Sequence, residues 1–501
     1  MSARTLMVLG SMSSAGKSLL VTGLCRLYAR RGWRVRPFKA QNMSNNAAVC
    51  AGGEIGRAQA VQAYAAGVEP SVDMNPILLK PEADACSQVI LRGQVYRRLA
   101  AQAYYAHLEQ LWPAVADSLE RLRGESDLVI LEGAGSPAEL NLRGQDLANM
   151  RSARLAQAPC LLVGDIDRGG IFAQLLGTLW LLEEGEQARI KAFVVNKFRG
   201  DAALFAEGVR LLEERGGRPV LGVLPYMHAH AVPDEDAAAL VESAASAAAG
   251  KLDAVVIHLP HIANFDDFDP LRLEPAVQVR FVRSPQQLGR PQVIFLPGTK
   301  NTAGDLRWLF ENGLAQAVRG LAGQGVSVVG FCGGFQMLGL EVRDELGLES
   351  EHRSTPGLGL LPIRTVMAAA KTVTRSRARI LTSHGFFGAL TGKEVQGYEI
   401  HLGEARGGEP LLRVTAREGQ ALDALDGACS PDGRVWGSHL HALLENDDLR
   451  RAWLGSLGVA AAAQPFHQRR AAAYDRLADV LEASLDIARL DRIIAEGCDG
   501  D

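Results

Sequence analysis

The sequence has almost no charge excess: 53 Lys and Arg against 57 Asp and Glu leave a formal net charge of −4 over 501 residues. No strongly basic stretch stands out, which argues against a general nucleic-acid binder. Paired cysteines are missing as well. The seven cysteines are scattered without a CxxC, which excludes a disulfide framework and a zinc knuckle and points to a reducing, cytoplasmic setting. No apolar run approaches the roughly 18 residues that a membrane span requires. The opening Met1-Ser2-Ala3-Arg4-Thr5 runs straight into a strand-like segment, unlike a signal peptide or anchor. There are no internal repeats and no large low-complexity blocks. What remains, 47% hydrophobic and 22% charged residues, suits a soluble globular chain of about two to four domains.

Leu6 to Leu9 is a short apolar run. It is followed by Gly10-Ser11-Met12-Ser13-Ser14-Ala15-Gly16-Lys17-Ser18 and then by leucines at helical spacing, Leu19, Leu20, Leu24 and Leu27. A strand, a small-residue loop ending in Gly-Lys-Ser and a helix form a phosphate cradle. Loop N–H groups face the oxygens, Lys17 adds a point charge and the Ser18 hydroxyl can ligate Mg²⁺. Gly10 lies one residue further from Gly16 than the standard spacing; read from Ser11, the loop has the right length. Strand-like runs recur at Val35 to Phe38, Leu128 to Leu131, Cys160 to Val163, Ala192 to Val195 and Val220 to Val223, separated by helix-length segments. This alternation predicts a doubly wound parallel α/β sheet with ligand loops at the carboxyl ends of its strands. Polar residues cluster just past those ends: Lys39 to Asn46, Glu132 to Gly135, Asp165 to Gly170, and Asn196-Lys197. Any one of them would more often be a turn former or a solvated charge; their shared edge is the argument.

Composition changes between Pro225 and Gly250, where a polar turn precedes an alanine-rich stretch, Ala237 to Ala249. We read residues 1–232 as one domain, 233–250 as a linker, 251–455 as a second α/β domain and 456–501 as a helical extension packing on it. His228, His230, Asp234 and Asp236 could suggest a metal site, but no register focuses them, and a solvated linker is the better reading. In the second half, Ala254 to Ile257, Val293 to Leu296 and Val326 to Phe331 are strand-like. The last ends in Gly330-Phe331-Cys332-Gly333-Gly334-Phe335-Gln336, a sharp strand-to-helix turn that lifts one side chain clear of the sheet. A cysteine at a helix N-terminus is favoured as thiolate, whereas an unplaced cysteine in an apolar run is usually core. Three glycines around Cys332 favour the nucleophile. Gly298, at another strand end, could supply N–H donors to an oxyanion. A thiolate attacking an amide also needs a proton shuttle, and Ser438-His439-Leu440-His441 offers two imidazoles, which one strand would turn to the same face.

With these motifs in order, the chain resembles the cobyric acid synthases, glutamine-dependent amidotransferases of cobalamin biosynthesis. The resemblance runs nearly end to end. Besides the P-loop it rests on Phe38-Lys39-Ala40-Gln41-Asn42-Met43-Ser44, Gly53 to Gln62, Asp73-Met74-Asn75-Pro76, Glu132 to Glu139, Asp165 to Gly170, Asn196 to Asp201, Asn264 to Leu271 and Cys332 to Gln336. It implies a P-loop domain similar to dethiobiotin synthetase, followed by a class I glutaminase domain. It also implies ATP- and Mg²⁺-dependent amidation of four carboxylates (b, d, e and g) of adenosylcobyrinic acid a,c-diamide, with acyl-phosphate activation and ammonia from glutamine. The implied partners are the corrinoid and glutamine, without nucleic acid or membrane.

Residue by residue, the resemblance implies Ser13, Gly16, Lys17 and Ser18 at the nucleotide phosphates and Asn196 at the adenine. Ser18 and Glu132 would hold magnesium, and Lys39, Gln41, Asn42 and Asp146 would form the carboxyl-phosphate site. Cys332 would be the nucleophile, Gly298 and Gly333 the oxyanion hole, and Gln336 a glutamine-binding residue. The family segment Gly-Thr-Tyr-Leu-His-Gly aligns with Gly437 to Ala442, so His441 takes the base's place and His439 the tyrosine's. Many class I glutaminases carry Glu two residues further on. Leu443 stands there, which leaves a Cys–His pair without a third member. Two other readings are amidation of the a and c carboxylates, and a partitioning-type ATPase switch fused to an inert glutaminase-like domain.

Overall fold

The computed structural model describes residues 3–83, 86–227, 250–350 and 352–498. The linker histidines and aspartates, and the alanine-rich stretch beside them, lie outside the described residues. The chain divides into two compact units: residues 1–44, 50–235 and 470–501, and residues 45–49 and 236–469.

In the first unit, β1 (Arg4–Gly10), β2 (Val35–Phe38), β3 (Leu128–Glu132), β4 (Cys160–Asp165), β5 (Ile190–Phe198) and β6 (Val220–Pro225) pair in the order β6-β5-β4-β1-β3-β2. Every pairing is parallel. Both faces are buried. Met7 and Leu9 of β1 enter one core cluster while Leu6 and Val8 enter the other, the period-two alternation of a strand covered on both sides. Helix α1 (Lys17–Arg30) packs on β1, β2 and β3, α2 (Arg57–Ala65) packs on α1, and α3 (Ile171–Leu181) packs on β4. Parallel register sets Val8 beside Glu132 and Asp165 beside Asn196, so the polar residues at these strand ends share one edge.

The second unit is built on a ten-stranded sheet. Its strands are β7 (Leu252–Ile257), β8 (Val277–Val282), β9 (Val293–Leu296), β10 (Ser327–Phe331), β11 (Thr372–Ile380), β12 (Glu394–His401), β13 (Pro410–Arg417), β14 (Gln420–Cys429), β15 (Val435–Ser438) and β16 (Leu440–His441). The order is β8-β7-β9-β10-β15-β14-β13-β11-β12-β16. The first five are parallel; apolar runs predict β7, β9 and β10 among them, while β8 and the antiparallel half from β14 to β16 lie beyond that expectation. A single large core follows the sheet, with Phe268, Phe295, Phe331, Trp436 and Trp453 among its side chains. After β10 the chain turns directly into the short helix α4 (Gly333–Met337).

Two helices end the chain: α5 (Phe466–Ser484) and α6 (Ile487–Glu496). The sequence reading packs this stretch on the second domain; the structure assigns residues 470–501 to the first unit. Leu477 and Leu481 of α5 and Leu490, Ile493 and Ile494 of α6 share a core with Leu20, Leu24 and Tyr28 of α1. Arg26 forms a two-pronged pair with Asp475 at 2.8 and 2.9 Å, and Asp486 N donates to Leu221 O at 2.8 Å. Helical spacing shows that a helix has an apolar face but does not say which surface that face covers.

Candidate active sites

In the first unit the loop between β1 and α1 ends at Gly16, which is left-handed at φ +100°; a Cβ there would overlap the Asn196 amide. Only glycine meets both demands. Lys17 Nζ donates to the Met12 and Gly135 carbonyls, each at 3.1 Å, so its ammonium is drawn in over the loop. Ser13 lies exposed on the loop. Asn196 Nδ2 donates to Ala15 O at 2.9 Å, which fixes the loop's back against the end of β5. Lys197 reaches Ser14 O at 2.7 Å and Asp165 Oδ2 at 2.8 Å.

Glu132, at the last position of β3 and 1% exposed, is the centre of this site. Ser18 Oγ donates to its Oε1 at 2.9 Å, Lys39 Nζ to the same oxygen at 2.8 Å, and Gln62 Nε2 to Oε2 at 2.5 Å. Three donors on one buried carboxylate hold both its oxygens in place. A carboxylate beside a hydroxyl is a donor set that suits Mg²⁺ once nucleotide phosphates and water complete the shell. Gln62 belongs to a segment that carries the family resemblance, yet no local pattern singles it out from its neighbours.

The remaining expected residues are more dispersed. Gln41 Oε1 accepts from the Tyr104 hydroxyl at 2.6 Å, and Asn42 Nδ2 donates to Gln59 Oε1 at 3.0 Å. Asp146 is bound up locally: it accepts from Ala148 N at 2.9 Å, Asn149 N at 3.0 Å and Asn149 Nδ2 at 2.8 Å. Burial pushes its carboxyl up despite those donors. Asn149 in turn clamps Ala134 through both its amide atoms, at 3.1 and 2.7 Å, so Asp146 supports the loop after Glu132.

In the second unit Cys332 stands between β10 and α4 at φ 52°, ψ −113°, a conformation that costs a non-glycine residue about 1–3 kcal/mol. Its backbone is held by Cys332 N donating to Ser438 O at 2.9 Å and by Gln336 N donating to Cys332 O at 3.1 Å. The turn fits because its neighbours lack side chains: a Cβ at Gly334 would overlap the Leu296 carbonyl. Gly333 faces Thr299 and Thr302, and Gly298 lies against the His441 ring.

His441 is the imidazole whose electrostatics respond to the Cys332 sulfur, while the Cys332 thiol itself donates to Ile400 O at 3.4 Å. Its Nδ1 pairs with Asp267 Oδ2 at 2.7 Å, and Asp267 Oδ1 accepts from Ala442 N at 2.6 Å. Both side chains are buried. Burial alone would lower the imidazole's pKa; the Asp267 charge and hydrogen bond, with Cys332, outweigh it and push His441 up to about 10. Tyr398 stacks on the ring, centroids 5.0 Å apart. Asp267 is thus a third member for the Cys–His pair. The sequence had offered it in Asn264 to Leu271, but its contact with His441 closes a loop of 174 residues, and nothing in the segment separates it from Asp266 or Asp269. His439 falls at the bend between β15 and β16, so the two rings do not share one strand face; it pairs with a different carboxylate, Asp426, at 2.6 Å.

A P-loop unit followed by a unit with a cysteine–imidazole–carboxylate centre defines a class, the glutamine amidotransferases that use a nucleotide. Residues 6–237 match the CobQ/CobB/MinD/ParA nucleotide binding domain, and residues 253–449 match the CobB/CobQ-like glutamine amidotransferase domain. The cobyric acid synthase of Sorangium cellulosum is 49% identical over 515 residues, covering 99% of each chain. That of Chloroflexus aurantiacus is 51% identical over 499 residues, covering 99% of this chain and 100% of its own, and that of Moorella thermoacetica is 45% identical over 503 residues, covering 98% and 97%. The chain belongs to the cobyric acid synthase family, glutamine-dependent ligases.

Proposed function

We propose that this enzyme amidates carboxylates of a corrinoid in cobalamin biosynthesis, with glutamine as nitrogen donor and ATP as the source of activation, the substrate being adenosylcobyrinic acid a,c-diamide and the targets its b, d, e and g carboxylates. In the second unit the Cys332 thiolate attacks the glutamine side-chain amide, and the carbonyl oxygen takes the negative charge beside the N–H groups of Gly298 and Gly333. His441, oriented by Asp267, gives its proton to the leaving ammonia. Water, deprotonated by the same ring, then hydrolyses the thioester to glutamate and free thiol.

In the first unit a substrate carboxylate oxygen attacks the γ-phosphorus and ADP leaves, giving an acyl phosphate. Ammonia then attacks the acyl carbon and inorganic phosphate departs. Lys17 and the loop N–H groups would hold the phosphates, with Asn196 at the nucleotide. Ser18 and Glu132 would hold Mg²⁺, which neutralises phosphate charge when bound. Lys39 would face the carboxylate being activated, with Gln41 and Asn42 near it, and Asp146 would support the loop behind them.

The observation that carries this reading is the buried His441–Asp267 couple at 2.7 Å beside Cys332. A partitioning-type ATPase with an inert glutaminase-like domain would have no use for it, and glutamate release from glutamine decides between the two. The direct test is mass spectrometry of the corrinoid after incubation with ATP, Mg²⁺ and glutamine. Four successive acid-to-amide shifts are expected; shifts at a and c alone would give the enzyme a different substrate. Cys332→Ala is expected to abolish glutamine-dependent turnover while ammonia-dependent turnover persists.

A further inference from the structure

His439 stands two residues from the proposed base, is 4% exposed, and has no part in the chemistry above. Its surroundings are nevertheless built as carefully as those of His441. Nδ1 pairs with Asp426 Oδ1 at 2.6 Å, while Asp426 Oδ2 accepts from His439 N at 3.0 Å and Ser438 Oγ at 2.5 Å. Burial acts to raise the Asp426 carboxyl, but His439 and these hydrogen bonds hold it well below the usual carboxylate range. The Asp426 carboxylate accepts a hydrogen bond from Nδ1–H, so in the neutral ring the lone pair sits on Nε2. That nitrogen lies 3.3 Å from Nε2 of Gln336, whose N–H it is set to accept.

Gln336 is one helical turn beyond Cys332, and its side chain is gripped at every polar atom. Thr302 Oγ1 donates to Oε1 at 3.2 Å, and Nε2 donates to Leu402 O at 2.9 Å as well as to His439. Phe335 meets the His439 ring edge-on, centroids 5.1 Å apart, and His401 stacks on it at 4.3 Å. His401 is itself held by Glu399 at 3.1 Å, which Arg417 pairs at 2.8 Å. The ring therefore has no freedom to turn its other nitrogen toward Gln336.

We propose that Asp426 and His439 form a carboxylate–imidazole couple that positions Gln336 to bind the glutamine substrate. It rests on the glutaminase reading and assigns binding to one imidazole and chemistry to the other. Asp267 sets His441 beside the sulfur; Asp426 sets His439 as an acceptor, which fixes the orientation of the Gln336 amide. Asp426 and His439 are positioning residues and do not contact the reacting atoms.

Asp426→Asn tests the idea without removing bulk. If the Asn oxygen keeps the bonds from His439 N and Ser438, its NH₂ faces Nδ1, and the ring must carry its proton on Nε2, donor against donor at Gln336. In the full-length enzyme, KM for L-glutamine in the glutamate-release assay is expected to rise about tenfold, the scale of one buried hydrogen bond turned repulsive. The kcat at saturating glutamine should change far less, and the KM for ammonia not at all. His439→Gln, which keeps an acceptor, should stay near the wild-type KM, whereas His439→Phe should match Asp426→Asn. An unchanged glutamine KM in both Asp426→Asn and His439→Phe, with only the melting temperature lowered, would make His439 a core imidazole and overturn the proposal. So would a fall in kcat at constant KM. If Asp426→Asn does not fold, the His439→Gln and His439→Phe pair decides alone. Glutamine-dependent turnover surviving in Cys332→Ala would instead refute the glutaminase reading itself.

Discussion

At the scale of single residues, the second unit sets two neighbouring histidines, His439 and His441, each against its own aspartate. For His441 the electrostatics yield a signed prediction. Its pKa is raised to about 10 from an ordinary 6.5, so the native state holds the proton more tightly than the unfolded chain. That contribution to stability is complete below the ordinary value and is lost as pH rises through about 10. Asp267→Asn removes its main source. The gap in melting temperature between wild type and Asp267→Asn should be widest near pH 6 and close toward pH 10. Glutaminase kcat should fall roughly 10²-fold or more, since an unanchored imidazole is a poor proton shuttle, while ammonia-dependent turnover persists. Equal loss of both activities would mean that Asp267 serves the fold and not the proton transfer. In the first unit, Glu132→Gln would face three donors with one neutral amide. Ammonia-dependent amidation should be lost, with glutaminase turnover retained as the internal control.

At the scale of elements, both centres are built at turns from a strand into a helix. Gly16→Ala would combine a left-handed backbone with overlap on the Asn196 amide, and is expected to abolish nucleotide binding, measured by calorimetric titration. Gly334→Ala would drive a methyl into a strand carbonyl, and the expected result is a protein that does not accumulate in soluble form. These turns were legible in the sequence because apolar runs, glycines and polar residues at parallel strand ends have short-range signatures; β2 and β9 coincide with their apolar runs, and Glu132 stands at the end of β3, where its apolar run stops. The antiparallel half of the large sheet was not legible, since strands such as β14 show a mixed burial pattern. Asp267 and Asp426 escaped notice for another reason. A carboxylate's partner is fixed by tertiary folding, and three aspartates within Asp266 to Asp269 are equivalent until His441 is brought to one of them.

At the scale of the whole molecule, the chain leaves the first unit near residue 235 and returns to it at residue 470. The returning helices bury Tyr474, Leu477, Leu481, Leu490, Ile493 and Ile494. At about 1.5–3 kcal/mol for each large apolar side chain buried, six of them rival the 5–15 kcal/mol by which a typical domain is stable. Truncation after Arg469 should therefore cost the first unit its fold, seen as lost ammonia-dependent amidation and early proteolysis within residues 3–227. A truncated chain that still amidated with ammonia would show α5 and α6 to be dispensable cover.

The same return path sets a timetable for biosynthesis. A ribosome adding roughly 5–20 residues per second releases the nucleotide-binding strands first, yet the side of α1 at Gly23 that Leu477 and Leu481 cover stays bare until the final helices emerge. During that interval the nascent chain offers a greasy surface in the cell with its cover still unmade. Slowing elongation through the second unit should then increase capture by chaperones and loss to aggregation, and supplying residues 466–498 as a separate peptide should relieve both.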